Sequence, residues 1–147
     1  MKTRIHSKGD VRQEEFLAAA ATIYPGMLIN QASTGKVAIH ASEGEFAENM
    51  IAAEDALQGK TVADAYAAGA VVPTLIPNKG TELNVLIQAG QEVDIGDSLV
   101  SGGDGTFIVS SAVSTSTVTG VVLYIAAEAL DLTGTGAVNT LCAARAV

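Results

Sequence analysis

Apart from one alanine-rich patch, the chain is a succession of short apolar runs cut at close intervals by glycine, asparagine, serine and proline. Runs of that length suit strands, and strands joined by frequent turns suit an antiparallel sandwich or barrel. Met27 to Gln31 and Lys36 to Ala41 flank Ala32-Ser33-Thr34-Gly35, a loop whose glycine is free to adopt positive φ, and together predict a hairpin. Phe46 to Ala53, Val71 to Ile76, Glu82 to Ile87, Thr106 to Ser110, Gly120 to Ala129 and Gly136 to Ala144 supply further strands. Val121 to Ile125 is continuous enough in apolar residues to be buried on both faces. One short helix is expected over Thr61 to Ala68, where Thr61 can cap and Gly69 can terminate. Ser110 to Thr119, uncharged and rich in β-branched and hydroxyl side chains, reads as either a flexible loop or an exposed strand, with the strand favoured.

The densest punctuation lies between Ile87 and Val109, where five glycines (Gly90, Gly96, Gly102, Gly103 and Gly105) alternate with Glu92, Asp94, Asp97 and Asp104. A calcium loop would use such oxygens, but the spacing lacks the terminal glutamate of an EF-hand and the repeat array of a β-roll. The stretch is better read as barrel wall, with glycines turning the chain and the aspartates facing solvent in turns.

At 147 residues the chain fits a single β domain, covering residues 21–147, preceded by an arm. Sixteen acidic and eight basic residues give a net charge of −8, which opposes attraction to nucleic acid and to anionic membrane. Half of the basic residues, Lys2, Arg4, Lys8 and Arg12, lie in the first twelve positions. Residues 1–20 therefore read as a cationic arm on an acidic body, either ordered when it meets an acidic partner or simply a frayed terminus. Lys2, Arg4, Lys8 and Arg12 are the candidate ionic contacts of that arm, and Ile5 and Val11 its apolar anchors. Phe16 to Ile23 is apolar but follows Glu14-Glu15, too short and too deep for a secretory signal, so the expectation is a chain made in the cytosol.

Chemical motifs are sparse. Glu54 to Thr61, "EDALQGKT", ends like a phosphate-binding loop, but Glu54 stands where the first glycine is required and would repel phosphate. His6 and His40 have no companion at ligand spacing, which leaves no expected metal. His40 beside Ser42 is adjacency and not a triad, and Leu141-Cys142-Ala143-Ala144 marks Cys142 as a core residue. No catalytic residue and no cofactor is expected, and weight moves from enzyme to structural or binding protein.

"AGQEVDIGDSLVSGGDG" resembles the turn and strand pattern of biotinyl and lipoyl carrier domains. That resemblance implies an acceptor lysine at a hairpin tip. The loop lysines are Lys36 and Lys79, and neither has a carrier's flanking residues. A carrier-like or ligand-binding β domain is the alternative reading. A second resemblance covers residues 24–147. "YPGMLI" (Tyr24 to Ile29), "AEDALQGKTVADAYAAGAVV" (Ala53 to Val72), "GQEVDIGDSLVSGGDGTF" (Gly90 to Phe107) and "AAEALDLTGTGAVNTLCAARAV" (Ala126 to Val147) are, in order and spacing, similar to the cement (decoration) proteins of tailed bacteriophages. The resemblance implies an all-β, compact β-barrel or β-tulip with an extended N-terminal arm. It implies a homotrimer on the virion's capsid exterior, made in the host cytoplasm. It implies the major capsid protein as partner, with neither nucleic acid nor membrane involved.

Overall fold

The computed structural model describes residues 1–113 and 120–147. It is nearly all-β. Among the described residues there are thirteen strands: β1 His6–Lys8, β2 Val11–Leu17, β3 Leu28–Gln31, β4 Val37–Ile39, β5 Met50–Ala52, β6 Val71–Pro77, β7 Glu82–Ile87, β8 Glu92–Val93, β9 Ser98–Ser101, β10 Phe107–Val109, β11 Tyr124–Ala126, β12 Leu130–Asp131 and β13 Thr140–Ala146.

Strands β7, β10, β9, β11 and β13 are hydrogen-bonded in that order, and β13 returns to β7, which closes a five-stranded barrel; β1 adds to the outer edge of β7. Alternation fills the barrel. Leu83, Val85 and Ile87 of β7 point inward and are fully buried, with Val85 opposite Cys142 and Leu83 opposite Ala144. Small side chains on β13 make room for Phe107 and Tyr124, whose rings meet edge to face at 5.3 Å between centroids. A barrel of so few strands has no lumen to spare, and this pairing of large with small is how it packs. The Tyr124 hydroxyl escapes burial unpaired by donating to Asn49 Oδ1 at 2.6 Å. Cys142 lies in the same interior, where burial pushes its thiol pKa up to about 11.

The second sheet has the order β2-β6-β5-β3-β4. It curls until its two edges touch at one bridge, Ala18 to Val37, with the Ala19 amide donating to the Val37 carbonyl at 2.8 Å. It encloses a smaller core of Ile23, Ile29, Met50 and Val72, while Leu28, Ile51 and Leu75 join the barrel's core. Gly26 stitches the two sheets together. Its amide donates to the Ala52 carbonyl and its carbonyl accepts from the Leu86 amide, at 2.8 and 2.9 Å. At φ 89°, with Leu141 Cδ2 2.5 Å from where a Cβ would stand, only glycine fits this crossing.

Three expectations need correction. Thr61 to Ala68 is not a helix. Asp64 accepts from the Thr61 amide and hydroxyl, at 2.7 and 2.9 Å, as in the first turn of a helix, but the chain makes one turn there and goes no further. Beyond the turn, Tyr66 is held extended: its amide donates to Ile23 and its hydroxyl to the Ala53 carbonyl at 2.6 Å. Among the described residues the helical turns are single 3-10 turns at Ala56–Gln58 and Ser110–Ala112. The second of these replaces the start of the strand expected over Ser110 to Thr119, of which residues 114–119 lie outside the described residues. The third correction concerns residues 1–20, which do not stand apart as an arm. β2 pairs with β6 along all seven of its residues, and β1 pairs with β7.

Candidate interaction surface

The N-terminal cations were expected to seek an acidic partner, and three of the four find acids of their own chain. Lys2 Nζ lies 2.9 Å from Glu128 Oε2, Lys8 Nζ 3.7 Å from Glu82 Oε1, and Arg12 Nε 2.9 Å from Glu14 Oε1. The Arg4 side chain is exposed and has no ion pair among the described residues, while its carbonyl accepts from Asn84 Nδ2 at 2.7 Å. The acidic body toward which the basic segment is drawn is the one it belongs to.

Ile5, expected as an anchor in a partner, is fully buried in the barrel's core, so it anchors the segment to its own domain. Its amide donates to Glu54 Oε2 at 3.1 Å, and its carbonyl accepts from the Asn84 amide. Val11 is half-buried against the same core. Neither apolar anchor is therefore a free contact; the exposed Arg4, Lys8 and Arg12 side chains remain on the surface. Sequence reading missed Glu54, Glu128 and Asn84, which hold the segment down. The signal for Glu54 was faint: an acid set in the apolar run Ile51-Ala52-Ala53.

Lys2 and Glu128 form part of the rim of an open groove of about 1210 Å³ between the β7–β13 wall and the Tyr24-Pro25 and Val62-Ala63 segments. Its lining is largely apolar, with Leu86, Leu130 and Leu141 half-buried in it and Val138 70% exposed. Glu128 is fixed for its place there, since its Oε1 also accepts from the Ala143 amide at 2.8 Å.

Of the groups tested for chemistry, His40 pairs with Ser101 and not Ser42: Nδ1 and Oγ are 2.7 Å apart, and Ser101 also accepts from the Gly103 amide. Ser101 is fully buried and His40 nearly so, which makes this pair a tie between the two sheets. Gly59 ends the first 3-10 turn at φ 72°, so "QGKT" is a turn. Between Ile87 and Val109 the acids serve turns as expected: Asp97 accepts from the Asp94 amide, and Asp104 from the Thr106 amide. Lys36 and Lys79 are exposed, Lys36 closing the β3–β4 loop and Lys79 in the link from β6 to β7.

Neither any protein-family model nor any curated protein matches the chain.

Proposed function

We propose that the protein is a structural cement protein, which binds the outer surface of an icosahedral phage head as a homotrimer and bridges subunits of the major capsid protein. The observation that carries this reading is the groove. Small-molecule sites enclose roughly 300–1,000 Å³ and converge several polar groups on their ligand. This groove is larger, open and apolar, with one ion pair at its rim, which suits a segment of a partner protein. The order of the stretches from Tyr24 to Val147 supports the same reading, as do the exposed apolar side chains Phe46, Leu57 and Ile95, which lie in connections between strands. Binding from several copies in one trimer would add avidity to contacts that are individually weak.

The test is co-sedimentation of the full chain with expanded heads of the phage that encodes it, stripped of the protein. Saturable binding that is weakened by Val138→Glu in the groove is the expected result. Heads that pellet without the chain at every concentration would overturn the reading.

A further inference from the structure

We infer that the groove takes its partner as an added β-strand: an extended, uncharged segment that pairs with the open edge of β13 at Leu141. The inference rests on the reading above for who the partner is, and it adds how that partner is held.

β13 outruns its neighbour on one side. It has seven residues and β11 has three, and the register sets Tyr124 to Ala126 against Ala146 to Ala144. Thr140 to Ala143 therefore continue past the end of β11, while β7 accompanies them along the other side. The next rung beyond β11 is filled from within the chain. The Ala143 carbonyl accepts from the Ala127 amide, and the Ala143 amide donates to Glu128 Oε1, both at 2.8 Å. The Glu128 carboxylate stands where the carbonyl of a neighbouring strand would.

Backbone groups of a strand turn to its two sides alternately, so the Leu141 amide and carbonyl face the same side as those of Ala143. They exchange no hydrogen bond with β7, because Leu141 lies opposite Leu86, whose own amide donates away from β13 to the Gly26 carbonyl at 2.9 Å. Among the described residues neither Leu141 group has a hydrogen-bond partner, and the backbone amide and carbonyl of Asn139 have none either. The far edge of the same strand pair is closed by contrast. There the amides of Asn84, Leu86 and Gln88 donate in turn to the carbonyls of Ile5, Gly26 and Phe107, at 2.7, 2.9 and 3.0 Å. On β13 the uncovered positions open into the groove, which Asn139, Thr140 and Leu141 line.

An open strand edge is completed by extended backbone, and that defines the occupant. The rest of the lining defines its side chains. Lys2 and Glu128 are the charged residues of the groove and neutralise each other at 2.9 Å, so a charged segment finds no counterpart there. Leu86, Leu130 and Val138 offer apolar surface. Side chains alternate along a strand, so every second residue of the segment meets that surface and is apolar.

Amide exchange read by NMR on the free chain is the first test. The Leu141 amide should exchange fast and the Ala144 amide slowly; protection of Leu141 in the free chain overturns the inference, since the edge is then already covered. The second test installs the α-hydroxy analogue of leucine at Leu141, which replaces the N–H by an ester oxygen and keeps the side chain. Affinity for stripped heads should fall by roughly two- to tenfold, while the same replacement at Leu57, fully exposed and outside the groove, should leave it unchanged. Exchange over residues 138–141, read by mass spectrometry, should slow when the wild-type chain is on heads. Heads that bind the wild-type chain without slowing that exchange overturn strand addition, as do heads that bind the Leu141 ester equally well; in both outcomes the cement reading stands. If heads do not bind at all, the cement reading falls, and a display library of random decapeptides panned on the free chain takes their place. Uncharged binders that lose affinity for the Leu141 ester then support strand addition, and a library that yields none overturns it.

Discussion

Ile5 is where the chemistry of the N-terminal segment is decided. It is fully buried in the domain's own core, with Leu83 and Ile51 in the same cluster. Ile5→Ala therefore removes buried methyl groups and opens a cavity, a change that costs about 2–5 kcal/mol in well-packed cores. Arg4→Ala next to it touches solvent and should stay within about 0.5 kcal/mol. Urea denaturation of the two variants checks the contrast; an Ile5→Ala chain as stable as the Arg4→Ala chain would place Ile5 outside the core. A second residue-scale prediction concerns alkaline pH. Burial, followed by the charges of Asp55 and Glu54, raises the Tyr66 pKa from 10.0 to about 12, and burial raises that of Cys142 from 9.0 to about 11. In both, the neutral form belongs to the fold while the unfolded chain ionises first. Their stabilising contribution is therefore full below pH 9 and is lost as pH rises from about 9 to 12. Thermal melts across that range should show a falling midpoint, and Tyr66→Phe, which cannot ionise, should fall less steeply between pH 10 and 12.

At the scale of elements, β2 is the informative case. Its sequence, VRQEEFL, carries Arg12, Glu14 and Glu15 and gives no clean alternation, so nothing local marks it as a strand. Seven rungs of pairing with β6, and a place at the sheet's edge where charges are tolerated, make it one. A chain lacking residues 1–20 would lose those rungs, Ile5 and the Lys2–Glu128 pair together, and it should lose its cooperative thermal transition. A truncated chain that melts like the full one would show the segment to be dispensable. The same contrast explains what could be read in advance. Glu82 to Ile87 was legible to the residue because apolar Leu83, Val85 and Ile87 fall at every second position there, and Val71 to Ile76 came within a residue. β1, β8 and β12 have too few residues to form a pattern. The helix expected over Thr61 to Ala68 failed because Tyr66 answers to Ile23 and Ala53, which no local signal reveals. The cations of the N-terminal segment were visible as charges, but Glu128, the acid that holds Lys2, is 126 positions away. Residue type gave the chemistry of the segment, and topology decided whom it met.

At the scale of the whole molecule, charge separates the two ways in which such a chain could assemble. If copies or shell subunits were held by the basic segment against acidic patches, salt would weaken the assembly, because exposed ion pairs are screened within about 10 Å at 0.1 M. The ion pairs within the chain leave little for that mechanism, since Lys2, Lys8 and Arg12 already face Glu128, Glu82 and Glu14. Contact through the largely apolar groove depends little on salt, because the ion pair at its edge, Lys2–Glu128, is already made within the chain. Co-sedimentation with stripped heads should therefore change by less than about threefold between about 0.05 and 0.5 M sodium chloride, and binding that falls by about tenfold or more over that range would return the contact to the basic segment.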